Sequence, residues 1–243
     1  MRALISTSDK TGLVDFLKPL AEYGLELVST GGTYTFLKEN NFKVLEVSEV
    51  TQFPEVLDGR VKTLHPSIHM GLLADKDNKE HMLQMEHHNV KSFDMVVGNL
   101  YPFEETAARK NSTFEELIEN IDIGGPSFLR SSAKNFKSVI VLCTPSDYSW
   151  VQEKIINKSL TLEDRKKLAI KVFSLTSYYD SLIVEKLASD RTELDFLNLP
   201  LKKKMKLRYG ENSHQEAAWY FNPLDPINLS GMEIFQGKEL SYN

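Results

Sequence analysis

The sequence predicts an α/β fold in which a parallel β-sheet is covered by helices on both faces. Short apolar runs alternate with amphipathic stretches through the first half of the chain, and the connections between them are short. A parallel sheet needs such crossover segments, which cover its faces and bury its strands. The 243 residues are 41% hydrophobic and 26% charged, enough to bury one full core. We therefore expect one α/β domain, then a helical segment and the beginning of a second domain.

Strands and helices alternate along the first half of the chain. Apolar periodicity predicts strands at residues 3–6, 25–29 and 44–47, with helices at 13–23 and 33–40 between them. The elements expected after these are a strand at 93–97, a helix at 113–121, a strand at 138–142 and a helix at 146–157. One apolar stripe then predicts a long packing helix, and its members are Leu168, Val172, Leu175, Tyr179 and Leu182.

Three segments are predicted along the chain. We place the α/β domain at residues 1–145, a helical extension and linker at 146–200, and the beginning of an incomplete domain at 201–243. The composition changes at Leu207, and the residues beyond it are too few to bury an independent core.

Charge and composition argue against several classes of protein. The formal net charge of −5 disfavours broad nucleic-acid binding, and the lysine run at 202–206 lacks interleaved aromatic side chains. We interpret that run as the solvated face of a linker. No stretch approaches the roughly 18 apolar residues of a membrane span, and no signal peptide is recognisable. The single cysteine, Cys143, lies in an apolar run, which predicts a buried, inert thiol and fits a reducing cytoplasm.

Two loops that follow predicted strands carry groups suited to a phosphate. Thr30-Gly31-Gly32-Thr33 joins a strand to a helix whose unpaired amides favour an anion, and the alternative is a plain turn with Thr33 as helix N-cap. The loop at 8–12 follows the first strand and, in an open parallel sheet, meets the same crevice. Lys10 is the ligand contact predicted there, whereas Asp9 and Thr11 suit helix capping equally well.

Two further segments place polar groups at the same edge of the sheet. Residues 99–103 follow a strand, and Tyr101 either projects its hydroxyl into the crevice or packs in the core. Asp122 precedes a double glycine, and Arg130 and Lys134 follow at a helical spacing of four. Asp122 is either a helix-terminal acid in an ordinary ion pair or an acid coupled to a lysine for proton transfer.

The segment at residues 59–66 is dense in polar side chains. It holds two cations, Arg60 and Lys62, beside Thr63. Alone it reads as a solvated loop, but four other motifs at the same edge favour a site. Its histidine, His65, has no role that the sequence supports.

The six histidines predict no metal site. Three of them, between residues 81 and 88, fall in a polar helix without cysteine or ligand-like spacing. Pro66 lies between His65 and His69 and argues against the helix that would align those two side chains.

In order and spacing these motifs resemble one enzyme family. They match the IMP cyclohydrolase domain of the bifunctional AICAR transformylase/IMP cyclohydrolase enzymes of purine biosynthesis, and the matching residues are 8–12, 30–33, 59–66, 99–103 and 121–135. Residues 207–215 and 237–243 look like the opening of the transformylase domain. Ser213 departs from the family's usual proline, and Ser131 and Ser132 replace small apolar residues.

The resemblance implies a methylglyoxal-synthase-like fold followed by an incomplete second, α+β domain, and it also implies a set of site residues. Those implied to hold the substrate phosphate are Lys10, Thr30, Gly31, Gly32, Thr33 and Arg60. Those implied to carry the chemistry are Lys62, Tyr101, Asp122 and Lys134. Further substrate contacts are expected from Ser8, Thr63, Asn99, Gly124 and Gly125, and contacts to AICAR in the transformylase from Arg208 and Tyr209.

The implied reaction closes the purine ring of formyl-AICAR to give IMP and water, without a metal or organic cofactor. Lys62 and amides near Thr63 are assigned to the formyl oxygen, Asp122 coupled to Lys134 to proton transfer, and Tyr101 to positioning or relay. The full-length protein would also transfer formyl from 10-formyltetrahydrofolate, using residues beyond this chain. The expected setting is a cytoplasmic homodimer that binds a small nucleotide and neither nucleic acid nor membrane.

Two other functions are compatible with the same fold. Methylglyoxal synthase, a lyase that eliminates phosphate from a triose phosphate, shares the glycine loop but should lack the 59–66 segment. A non-catalytic nucleotide-sensing module would bind phosphate without the set formed by Tyr101, Asp122 and Lys134. Incubation with formyl-AICAR distinguishes the three.

Overall fold

The structure is a computed structural model that describes residues 1–57, 59–109, 111–188, 194–225, 231–233 and 235–242. Residues 189–193 of the predicted linker, residues 226–230 and 234, and the final Asn243 of the transformylase-like stretch lie outside the described residues, as do Asp58 and Lys110. Among the described residues, no helix combines the length and the apolar character needed to cross a membrane.

A five-stranded parallel sheet forms the centre of the fold. Its strands are β1 (Arg2–Ser6), β2 (Glu26–Ser29), β3 (Val44–Glu46), β4 (Met95–Gly98) and β5 (Ile140–Leu142), in the spatial order β3-β2-β1-β4-β5. Every neighbouring pair is parallel. The chain builds outward from β1 to β3, then returns to the other side of β1 to form β4. The carboxyl ends of β1 and β4 therefore flank the topological switch point, where α/β sheets bind ligands.

Helices fill the connections between the strands. In chain order they are α1 (Leu13–Glu22), α2 (Gly31–Glu39), α3 (Val47–Thr51), α4 (Pro66–Leu73), α5 (Lys79–His87), α6 (Phe103–Ala108), α7 (Phe114–Glu119), α8 (Gly124–Lys134), a 3₁₀ turn at Pro145–Asp147, α9 (Tyr148–Ile156) and α10 (Leu162–Leu187). Consecutive residues Leu4 and Ile5 of β1, and Val96 and Val97 of β4, are all fully buried. Because neighbouring strand residues point to opposite faces, both faces of the sheet are covered. The predicted α/β fold is confirmed.

The chain forms two compact units. The first consists of Met1–Tyr101 with Asp122–Thr176 and contains the parallel sheet. The second consists of Pro102–Ile121 with Ser177–Asn243. These units do not coincide with the predicted boundaries after residues 145 and 200, because α10 continues from one unit into the other.

The second unit contains a small antiparallel hairpin. Its strands are β6 (Lys202–Leu207) and β7 (Ala217–Phe221). The lysine run thus forms a strand whose lysines are exposed, and its interpretation as a linker is corrected. Lysines alternate with the partly buried Met205 and Leu207, which suits a strand with one solvent-exposed face. Within the same unit, the Tyr178 hydroxyl donates to Glu104 at 2.8 Å, and Lys202 pairs with Glu104 at the same distance.

Candidate functional site

Asn99 joins the two loops at the switch point of the first unit. Its side-chain oxygen accepts from the amides of Ser8 and Asp9 at 2.6 and 3.0 Å, and its amide group donates to the Asp9 carbonyl at 2.8 Å. Asp9 in turn accepts from the Thr11 amide at 2.8 Å, so it closes its own turn. The N-cap of α1 is Gly12, without a side-chain cap, and the capping interpretation of Asp9 and Thr11 is therefore wrong.

Thr33 fastens the start of α2 to the end of β1. Its hydroxyl donates to the Thr7 carbonyl at 2.8 Å and accepts from the Thr7 amide at 3.0 Å. Because α2 begins at Gly31 with Thr30 as its N-cap, the alternative in which Thr33 caps the helix is wrong. The loops after β1 and β2 consequently meet, as predicted. Lys10 lies between them, with its ammonium 5.9 Å from the ring of Phe36 on α2.

The first turn of α2 presents open amides. Within the described part of the chain, no residue accepts a hydrogen bond from the amides of Gly31, Gly32 or Thr33. Gly31 has φ +52°, and a Cβ on it would lie 2.8 Å from the Lys62 ammonium. Glycine is favoured here because its φ is positive, whereas the nearby ammonium is the end of a flexible side chain. A cation thus stands beside the end of a helix that itself attracts anions.

Glu55 connects the helix end to Lys62, and sequence reasoning missed it. Its carboxylate accepts from the Thr30 hydroxyl at 2.7 Å and pairs with the Lys62 ammonium at 3.4 Å. Gly59, at φ +82°, lies against the same lysine: a Cβ there would be 2.6 Å from Lys62 Cε. The only signal in the sequence is an acid placed shortly before a basic segment.

The 59–66 segment is ordered by contacts at both ends. Val56 and Val61 form an isolated antiparallel bridge across its opening turn, where Arg60 is exposed. Thr63 is buried, and a Cβ on Gly124 would lie 3.0 Å from its hydroxyl. The segment therefore lies directly against the start of α8.

His65 caps the helix that the sequence argued against. Its Nδ1 accepts from the Ser67 amide at 3.2 Å, and Pro66 occupies the first turn of α4. Proline suits that position because its nitrogen needs no hydrogen-bond partner there, so the expectation that Pro66 prevents a helix is wrong. His69, on α4, lies 3.0 Å from the Ser131 hydroxyl, and burial lowers the pKa of its imidazole.

Asp122 is half-buried at the start of α8. Its carboxylate accepts from the Gly125 amide at 2.8 Å and from the Tyr101 amide at 3.4 Å. Burial raises the pKa of Asp122, and these two hydrogen bonds only partly oppose the shift. A Cβ on Gly125 would collide with the carboxylate, so glycine is required there. Tyr101 is 48% exposed, which excludes the interpretation of its ring as a core residue.

Lys134 lies at the other end of α8 from Asp122. Each helical residue adds about 1.5 Å, so about 15 Å separates the first and last residues of this helix. The helix precedes a strand that is parallel to β4, and it therefore runs away from the carboxyl edge of the sheet. No hydrogen bond or ion pair joins Asp122 to Lys134 among the described residues. The expected coupling of the two is not formed in this structure, because the helix holds them apart.

The neighbouring Arg130 is used for packing. Its guanidinium lies 5.4 Å from the Phe173 ring and donates to the Thr176 hydroxyl at 3.3 Å. In the second unit, Arg208 lies over the ring of Tyr209, 5.2 Å from its centroid, and the Arg208 amide donates to the carbonyl of Leu240.

The first unit therefore collects an anion-binding end of a helix, two lysines and a carboxylate of raised pKa at one edge of its sheet. This arrangement suits an anionic ligand next to a reaction that moves protons. Over the residues that the structure describes, no cluster of three or more His, Cys, Asp or Glu side chains is arranged to hold a metal ion.

Two family models match successive parts of the chain. A family model described as MGS-like domain matches residues 12–127, and one described as AICARFT/IMPCHase bienzyme matches residues 132–243. A solved structure described as the crystal structure of ForH superposes with a TM-score of 0.68 at 31% identity, covering 77% of this chain and 99% of that chain.

Curated relatives align over the whole chain. The bifunctional purine biosynthesis protein PurH of Fusobacterium nucleatum is 53% identical over 244 residues, and that of Bacillus subtilis is 50% identical over 247. Each alignment covers 100% of this chain and 48% of the relative, so the chain spans about half the length of the curated relatives it matches. With both family models matched in sequence order, the chain belongs to the family of bifunctional purine biosynthesis proteins.

Proposed function

We propose that this chain is an IMP cyclohydrolase, which closes the purine ring of formyl-AICAR to give IMP and water. The observation that carries the proposal is the contact between the 59–66 segment and the start of α8. Thr63 packs against Gly124, so the segment that bears Lys62 adjoins the turn that holds the Asp122 carboxylate. A hydrogen-bond donor, Lys62, and a base of raised pKa, Asp122, would therefore lie on opposite sides of one crevice. The family's name supports purine biosynthesis as the setting.

The substrate phosphate is assigned to the start of α2. The open amides of Gly31, Gly32 and Thr33 supply neutral donors, and the helix end favours the negative charge. Lys10 supplies the charge from the β1 side, and Arg60 and the Thr30 hydroxyl are further contacts of this proposal. Ser8 and Asn99, which fasten the loops, would position the ribose end of the crevice.

The chemistry assigned to the site is an addition followed by a dehydration. The carboxamide nitrogen of the substrate attacks the formyl carbon, forming the C–N bond while the carbonyl π electrons move to oxygen. Lys62 donates a hydrogen bond to that oxygen, and the Asp122 carboxylate accepts the proton that the nitrogen loses. The oxyanion takes up the proton that Asp122 received, which gives the carbinolamine hydroxyl and restores the carboxylate. That hydroxyl then leaves with a ring-nitrogen proton as water, which creates the C=N bond of IMP.

The roles proposed for Tyr101 and Lys134 rest on different kinds of support. The ring of Tyr101 is exposed, and the backbone amide of the same residue donates to the Asp122 carboxylate. This contact supports a positioning role for Tyr101. The catalytic assignment of Lys134 rests on the family resemblance alone, because α8 carries it away from Asp122.

Incubation of the 243-residue chain with formyl-AICAR tests the proposal. Appearance of IMP absorbance is the expected result. The control is the same chain carrying both Lys62→Met and Asp122→Asn, which should form no IMP. IMP binding without turnover would instead identify a nucleotide-sensing module, and release of phosphate from a triose phosphate would identify a methylglyoxal synthase.

The longer protein would carry the second activity. We propose that residues 1–145 form the cyclohydrolase domain, 146–200 an extension and linker, and 201–243 the start of a transformylase that uses 10-formyltetrahydrofolate. Arg208 and Tyr209 would contact AICAR there, and the full-length protein would be a homodimer in the cytoplasm.

A further inference from the structure

A carboxylate already lies among the groups that the proposed function assigns to the substrate. Glu55 accepts a 2.7 Å hydrogen bond from the hydroxyl of Thr30, the N-cap of α2. Its other oxygen lies 3.4 Å from the ammonium of Lys62. The negative charge of Glu55 therefore stands at the helix end where the phosphate is proposed to bind.

Lys62 would be in an unfavourable place without that charge. Its ammonium lies so close to Gly31 that a Cβ there would be 2.8 Å away, and Gly31 is the first residue of α2. The start of a helix carries a partial positive charge, which repels a cation unless both share an anion. In this structure Glu55 is the anion that they share, and its side chain is 32% exposed, which leaves it room to move.

We propose that the Glu55 carboxylate competes with the substrate phosphate for the start of α2 and is displaced from Thr30 and Lys62 when the phosphate binds. This inference rests on the proposed function, because it concerns the same nucleotide phosphate. A phosphate and a carboxylate within a few ångströms of each other repel, whereas the phosphate can take over the Thr30 hydroxyl and the helix end that Glu55 occupies. Its departure frees the Lys62 ammonium for the formyl oxygen as the substrate arrives. Glu55 is thus a positioning residue whose charge competes with the substrate.

Binding of inorganic phosphate and of IMP to the 243-residue chain tests this competition. Glu55→Gln keeps the size and the acceptor of the side chain but removes its charge. We expect both dissociation constants to fall about tenfold, the effect of removing one like charge near a bound anion at a partly exposed site. The matched control is Glu39→Gln, which removes an exposed charge at the opposite end of α2 and should change neither constant. Unchanged or weaker binding by folded Glu55→Gln would overturn the inference.

A second measurement decides the matter if that variant does not fold. In a crystal structure of the unaltered chain with phosphate, the Glu55 carboxylate should lie beyond ion-pair distance from Lys62, and a retained contact would overturn the inference. Failure of the two proposals is distinguishable. If the unaltered chain forms IMP but its Glu55 stays in place, only this inference fails; if it binds neither phosphate nor IMP, both fail.

Discussion

The Asp122 carboxylate accepts a 2.8 Å hydrogen bond from the Gly125 amide in the first turn of α8, and this contact holds a charge in a half-buried place. The helix end and the Tyr101 amide stabilise that charge, but loss of water around it outweighs them, so its pKa is raised. Stability and the proposed chemistry therefore make opposite demands on this side chain.

Asp122→Asn should separate those demands. The folded pKa of Asp122 lies above its unfolded value, so the native state binds more protons between the two values and the carboxyl destabilises the fold as pH rises through that window. The amide keeps an acceptor for Gly125 without the charge. At pH 7 we expect the variant to be as stable as the parent or more stable. At a pH below the unfolded pKa of Asp122 it should be no more stable than the parent. Ring closure should be slower by about a hundredfold or more. Urea unfolding at pH 7 and at the acidic pH measures the stability, and IMP formation measures the rate.

The matched control for that variant is Asp77→Asn, an exposed acid for which the native charge has little cost. Its stability and rate should both stay at the parental level. A strongly destabilised Asp122→Asn protein at pH 7 would show that the carboxylate is a net stabilising group, contrary to the raised pKa.

Lys62→Met should slow ring closure by about a hundredfold to a thousandfold, the usual effect of removing one donor to a developing oxyanion. The side chain keeps its volume between Gly31 and Gly59, so the fold should survive. The comparison is Lys43→Met, which removes an exposed lysine from the same unit and should retain the parental rate. IMP formation by the Lys62 variant at near the parental rate would reject the assigned role.

Gly31→Ala and Gly24→Ala should differ in function although both place a Cβ at positive φ. Gly31 has φ +52° and faces Lys62, whereas Gly24 has φ +88° and nothing within 4 Å of an added Cβ. Each substitution should lower the free energy of unfolding by roughly 1 kcal/mol. Only Gly31→Ala should also weaken IMP binding, because it adds a methyl group at the start of α2, to which the phosphate is assigned. Equal IMP affinity in the two folded variants would contradict the proposed phosphate site.

The Cys143 thiol should be unreactive toward alkylating agents in the native protein. It lies directly after β5, is 8% exposed, and burial raises its pKa to about 11. At pH 8 nearly all of it is protonated, and the thiolate is the reactive form. We expect iodoacetamide to alkylate it only after unfolding in urea, as followed by intact mass. Rapid labelling of the native chain would show that the end of β5 opens.

The strands and the two loops at 8–12 and 30–33 could be predicted because their signals are local. Central parallel strands are continuous apolar runs, and β1 and β4 appear close to their expected positions. The meeting of the 8–12 and 30–33 loops followed from the rule that carboxyl ends of parallel strands share an edge. The family resemblance then added which side chains are proposed to bind the substrate and to carry the chemistry.

Other features depend on contacts that the sequence does not contain. Glu55 acquires its place only when a loop folds back to Thr30, 25 residues earlier, and Thr33 is turned away from capping by Thr7. The helical spacing after Asp122 predicted that Arg130 and Lys134 share a face, but a shared face says nothing about distance along the helix axis. Lys134 therefore lies about three turns away.

His65 should matter for stability and not for catalysis. Its Nδ1 accepts from the Ser67 amide at 3.2 Å and so caps α4, a task that an asparagine side chain also performs. His65→Ala should lower the free energy of unfolding by about 1 kcal/mol, and His65→Asn should recover most of that loss. Ring closure should proceed at the parental rate in both, measured at a temperature where both remain folded. A stable His65→Asn protein that has lost activity would place the imidazole in the chemistry and remove the capping explanation.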